Sequence, residues 1–214
     1  MNNYIQVLID LSTTILATII GVLLFSKLQL FYRLLVAHVL FYLVIDLIGI
    51  NMSPANTLVY NMFMPIEVAL LVYAAFVLVG NNLNRWVFLA AYALFLLVFL
   101  WELAPGIFAY RSAMLEGLIL TAIYILVLYN VLQKRIEKEN ALAAGLASLG
   151  MVLYFACTIP YLSILYYFQK TNPLVNKELF RYIIVFLALL RYFLIAASFL
   201  VAFNKRPLVV NERP

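Results

Sequence analysis

Apolar residues gather along this chain into seven runs of about 20 residues, the length that crosses a bilayer. They extend from Tyr4 to Phe25, Leu30 to Ile50, Thr57 to Val79, Arg85 to Leu103, Ala113 to Leu132, Ala141 to Phe168 and Leu179 to Phe203. A helix rises about 1.5 Å per residue, so each run suffices for a hydrocarbon core of about 30 Å. The breaks are Ser26-Lys27, Asn51 to Asn56 with Pro54, Gly80-Asn81-Asn82, Pro105-Gly106, Gln133 to Asn140, and Gln169 to Lys177 with Pro173. Their Gly, Pro, Asn and charged residues favour loops. A membrane barrel would need strands of about ten residues with alternating polarity, and no such alternation is present. The pattern predicts an all-α polytopic membrane protein, a seven-transmembrane-helix bundle forming one domain over residues 1–214. The first run lacks a basic leader and exceeds the apolar length of a signal peptide, so it is expected to remain as a helix.

Composition agrees with that pattern. Hydrophobic residues make up 67% of the chain and charged residues 11%, with a mean hydropathy of +1.07. Soluble domains carry about 25% charged residues. A surface this poor in charge is stable against lipid and would aggregate in water. The bilayer is therefore the expected partner, and an integral position in a bacterial inner (plasma) membrane the expected location. The net charge of +5 raises nucleic-acid binding as a class, but no continuous basic face exists to support it. The basic residues instead flank the spans, where they set orientation. With the N-terminus outside, nine cations fall on the cytoplasmic side: Lys27, Arg33, Arg85, Lys134, Arg135, Lys138, Lys205, Arg206 and Arg213. Four fall outside: Arg111, Lys170, Lys177 and Arg181. This predicts N-out, C-in, although the last loop, between the sixth and seventh spans, opposes it. Cys157 is the only cysteine; it permits no internal disulfide and is expected to be a small core residue.

Charge at membrane depth costs at least about 2.5–3.5 kcal/mol per group, so the informative residues are Asp10, His38, Asp46, Glu67, Glu116 and Arg191. In the N-out orientation the helix rise puts Asp10 about 9 Å, Asp46 about 6 Å, Glu67 about 15 Å and Glu116 about 5 Å below the outer ends of their helices. Four carboxylates thus fall in the outer half. Arg191, about 18 Å down its helix, is the one cation deep enough to face Glu67. His38, Tyr42 and Asp46 share a face at i, i+4 and i+8. Thr57, Tyr60, Asn61, Met64 and Glu67 form a second stripe, polar except for Met64, which lipid cannot satisfy. Pro65 and Pro160 each remove a backbone donor in mid-helix and free a carbonyl. Together these features predict an outward-opening polar pocket. Asp10, His38, Tyr42, Asp46, Thr57, Asn61, Glu67, Glu116 and Arg191 are its ligand-binding candidates, with helix kinks at Pro65 and Pro160.

Several chemistries lack their residues. One histidine cannot build a catalytic zinc centre, which uses several, or an axial pair for haem, so no metal or cofactor is expected. The chain has no nucleophile elbow and no phosphate loop, and the seventh span has no lysine for a retinal Schiff base. Trp86 and Trp101 bracket the fourth span as interface anchors. Tyr161, Tyr166 and Tyr167 read as a belt or as a pocket wall for a cation. Small residues from Ala141 to Ser148 permit close helix approach, within the bundle or toward a homo-oligomer or membrane partner. The resulting expectation is a transporter or sensor of a small solute, cationic or proton-coupled. The alternatives are a carboxylate-dependent intramembrane enzyme acting on lipid and a structural or accessory membrane subunit.

Overall fold

The structure, a computed structural model, describes residues 3–52, 57–79, 85–103, 108–133, 136, 138–171 and 177–204. Side chains within these ranges are described over 11–52, 57–79, 85–103, 108–133, 136, 140–167 and 182–204. Seven α-helices account for nearly all of it: α1 Asn3–Leu24, α2 Leu30–Asn51, α3 Thr57–Val79, α4 Arg85–Glu102, α5 Tyr110–Leu132, α6 Lys138–Thr171 and α7 Lys177–Asn204. No strand occurs among the described residues. Six helices, α2 to α7, are long and apolar enough to cross a membrane. The described side chains of α1 add a shorter apolar stretch, Leu11–Lys27, ending in the 3-10 turn Phe25–Lys27. The chain is therefore a helical membrane bundle. Of the predicted charges, the side chains of Asp10, Lys138, Lys170, Lys177 and Arg181 lie outside the described residues, as do Lys134, Arg135, Lys205, Arg206 and Arg213.

Helix starts and ends follow local chemistry. α5 begins at Tyr110, three residues before the predicted span, because Glu102 supplies its cap. One Glu102 oxygen accepts the Arg111 N–H at 2.9 Å, and the other accepts the Ser112 N–H and hydroxyl, both at 2.7 Å. Free N–H groups at a helix start are otherwise unsatisfied. α6 is longer than its apolar run at both ends and continues through Pro160, while α3 continues through Pro65.

The packing runs α1–α2–α3–α5–α6–α7 and back to α1, a closed ring of six helices. α4 lies outside it, against α3 and α5. Gly150 lets α7 approach α6 beside Arg191: a Cβ there would sit 3.1 Å from the Arg191 carbonyl oxygen. Ala143, Ala144, Ala147 and Ser148 are fully buried, so the small-residue stretch of α6 serves packing within the bundle. The exterior is apolar as well as the core, and several polar groups are enclosed. Leu97, Leu100, Leu118, Phe186 and Phe193 are exposed, whereas His38, Asn61, Glu67, Ser112, Glu116, Asn130, Ser148 and Arg191 are buried. Only hydrocarbon makes that arrangement favourable. Trp86 and Trp101 are exposed near the two ends of α4, where interface anchors belong. Cys157 differs from expectation: it is exposed on the outer surface of α6. Apolar flanking sequence does not separate core from lipid-facing positions when both surroundings are apolar.

Candidate functional site

Three side chains from three helices meet inside the ring. His38 of α2, Glu67 of α3 and Arg191 of α7 place His38 Nε2, Glu67 Oε1 and Arg191 Nη2 in a triangle with sides of 2.9, 3.0 and 3.0 Å. Of the three atoms the carboxylate oxygen is the one that can only accept, so it takes a hydrogen bond from both neighbours. The arginine is 1% exposed and the histidine 0%, so the carboxylate is the arginine's counter-ion. The rest of the guanidinium is enclosed by rings. Its central carbon lies 4.5 Å from the Tyr154 ring centre, 4.7 Å from Phe155 and 5.3 Å from Tyr192. Such faces attract a desolvated cation by about 2 kcal/mol or more. His38 is held in turn between Tyr192, stacked at 6.4 Å, and Phe63 at 6.5 Å.

A cavity of about 230 Å³ lies directly against this triangle. It is bounded by Tyr42 of α2, Tyr60, Phe63, Met64 and Glu67 of α3, and Phe108 before α5. Ala113 and Glu116 of α5, Tyr154, Phe155, Thr158, Tyr161 and Leu162 of α6 and Ile184 of α7 complete it. These positions fall toward the C-terminal end of α2 and α6 and the N-terminal end of α3, α5 and α7. The cavity thus lies at the bundle face where α1 begins. Glu67 is the member of the triangle that reaches it, with its side chain 10% exposed against 0% for its two partners. Glu116 is the second carboxylate on the wall. It is buried, and its Oε1 has no hydrogen-bond partner. Gly117 beside it lets α6 close in: a Cβ there would meet Ile159 Cγ1 at 2.9 Å and the Phe155 carbonyl oxygen at 3.3 Å.

The remaining sequence candidates occupy a surrounding shell. Tyr42 lines the cavity. Asp46 does not, but accepts a hydrogen bond from the Tyr60 hydroxyl at 3.2 Å, and Tyr60 does line it. Gly49 makes that bond possible, because a Cβ there would stand 2.7 Å from the Tyr60 hydroxyl oxygen. Asn61 is buried and accepts the Ala109 N–H at 3.1 Å, tying α3 to the segment that enters α5. Thr57 is half-buried at the start of α3, away from the cavity wall. Pro65 lies next to Met64 on the wall, and Pro160 lies between the wall residues Thr158 and Tyr161. Tyr161 therefore belongs to the cavity, while Tyr166 and Tyr167 are exposed, as belt residues would be. The aromatic wall residues Phe63, Phe108, Tyr154 and Phe155 were not legible in the sequence. Among 31 Tyr and Phe residues, neither composition nor spacing separates pocket rings from lipid-facing ones. Among the described residues no group of three His, Cys, Asp or Glu side chains is arranged to hold a metal ion.

The chain matches no protein-family model, no curated protein and no solved structure.

What the site can do follows from its own chemistry. It offers two carboxylates on a small aromatic-walled cavity. Arg191 is the counter-ion of Glu67, and among the described residues Glu116 forms no ion pair.

Proposed function

We propose that this protein binds a small organic cation in the cavity between α3, α5 and α6, as a transporter or sensor in the membrane. The observation that carries this reading is Glu116. A carboxyl group buried on a cavity wall with no hydrogen-bond partner for its Oε1 is costly unless something compensates it. A cationic ligand would supply the missing charge. The surrounding Tyr and Phe faces would hold an ammonium group as aromatic cages do. A cavity of about 230 Å³ is below the usual range for drug-sized ligands and suits a compact amine. Glu67 extends the negative lining, while Arg191 offsets part of it and disfavours multiply charged metal ions.

The orientation read from the loop cations, N-out and C-in, would open the cavity to the outer side. A solute arriving from outside would meet the Tyr60 and Phe108 end first and the Glu67 triangle last.

The test is a binding titration with the purified protein in lipid nanodiscs, using tetramethylammonium, choline and ethanolamine as probes. Saturable binding by the wild type, lost in Glu116→Gln, supports the reading; no binding of any probe ends it. Uptake of the bound probe into proteoliposomes then separates carrier from sensor.

A further inference from the structure

A second concavity lies on the other side of α3, on the outer surface of the bundle. It has a volume of about 430 Å³ and is walled by Ala69, Val72, Tyr73 and Phe76 of α3 with Arg85, Phe88, Leu89 and Tyr92 of α4. Each set follows i, i+3, i+4, i+7, so two complete helix faces form the walls. Among the described residues α4 packs chiefly on α3 and α5, outside the ring. The groove is therefore peripheral. Its rings are mutually ordered, Phe76 against Phe88 edge-on at 5.5 Å and Tyr73 stacked on Phe76 at 6.3 Å.

Among the described residues Arg85 is the one charged residue of this lining, and it stands at the first position of α4. The other cations described at this face are engaged locally. Lys27 lies over the Phe203 ring, and Arg33 donates to the carbonyls of Phe25 and Ser26. Arg85 is exposed, contacts the neighbouring Trp86 ring at 5.4 Å, and borders an apolar slot. An apolar, aromatic-walled groove with one exposed guanidinium at its end matches an amphiphile with an anionic head and a hydrocarbon tail. We infer that this groove is a binding site for an anionic phospholipid, with its phosphate at Arg85 and an acyl chain between Tyr73, Phe76, Phe88 and Tyr92. Charge complementarity selects the headgroup, and the acyl chain, already in hydrocarbon, gains packing contact with the ordered rings. The site is independent of the cation cavity, since no residue lines both.

The test reconstitutes the protein in vesicles of equal phosphatidylglycerol and phosphatidylcholine, extracts it in mild detergent, and counts retained lipids by native mass spectrometry. The wild type should retain phosphatidylglycerol over phosphatidylcholine. Arg85→Gln, a surface change, should cut that preference about fivefold, as one basic residue is worth near an anionic lipid, without removing the retained chain. Ala69→Trp, which fills the groove floor, should abolish retention of both lipids. Equal retention of the two lipids by the wild type, or an unchanged preference in Arg85→Gln, would overturn the proposal.

Discussion

Glu67 and Arg191 stand 124 residues apart in sequence and 3.0 Å apart in space, joined at Oε1 and Nη2 inside a ring of six helices. Both charges are buried, and each is the other's counter-ion. Removing one partner of a buried pair strands the other, at about 3–5 kcal/mol. Glu67→Gln and Arg191→Gln should each destabilise the protein by that order. The double variant should lose clearly less than the sum of the two, because no lone charge remains. A double-mutant cycle in thermal or denaturant unfolding of the detergent-solubilised protein measures this directly. Additive losses would mean that the two groups are not coupled.

The Gly49 and Tyr60 contact gives a second prediction. Gly49→Ala brings a methyl within 2.7 Å of the Tyr60 hydroxyl oxygen and should push the ring off Asp46. The loss should resemble that of Tyr60→Phe, about 1 kcal/mol for one hydrogen bond. Both variants should also weaken cation binding, because Tyr60 lines the cavity. Matching stability and affinity losses in the two variants would support the linkage; a Gly49→Ala variant of unchanged stability would remove it.

Cys157 offers a test of membrane placement without any background, since it is the only cysteine. It sits exposed near the middle of α6. A nitroxide attached there should be relaxed strongly by oxygen, which concentrates in hydrocarbon, and weakly by a water-soluble nickel complex. The reverse ranking in a power-saturation measurement would place this surface in water.

Orientation is tested by fusions after Pro214. Positive charge on the α1–α2 and α5–α6 connections predicts a cytoplasmic C-terminus. A fluorescent protein fused there should fluoresce, and an alkaline phosphatase should be inactive. An active phosphatase would invert the assignment and turn the cavity toward the cytoplasm.

The seven helices were legible because bilayer thickness imposes its own length on apolar runs, and the Pro, Gly and Asn breaks between them are strong signals. The Glu67 and Arg191 pairing was legible from depth alone: one deep cation and one deep carboxylate fall near the same level. His38 as the third vertex was not, because position along α2 says nothing about which neighbour its ring meets. Asp46 was recognisable as a costly charge, but its partner Tyr60 lay on a different stripe of a different helix. Cys157 shows the general limit. In a lipid-facing helix both surroundings are apolar, so the hydrophobic pattern that separates inside from outside in a soluble protein is nearly silent. The same silence concealed Tyr154 and Phe155, which enclose the guanidinium.

Glu116 separates a ligand site from a structural charge. A neutral isostere there removes a buried, unpartnered carboxylate oxygen, so Glu116→Gln should leave unfolding temperature unchanged or raised. If the charge serves a ligand, the same variant should bind cations at least about tenfold less tightly, the worth of one close charge pair. The decisive measurement is a tetramethylammonium titration of wild type and Glu116→Gln in nanodiscs, followed by isothermal calorimetry. Saturable binding by the wild type and its loss in a folded, equally stable Glu116→Gln is the predicted result. Equal affinity in the two proteins, or no binding by the wild type, would contradict a cation site in this cavity.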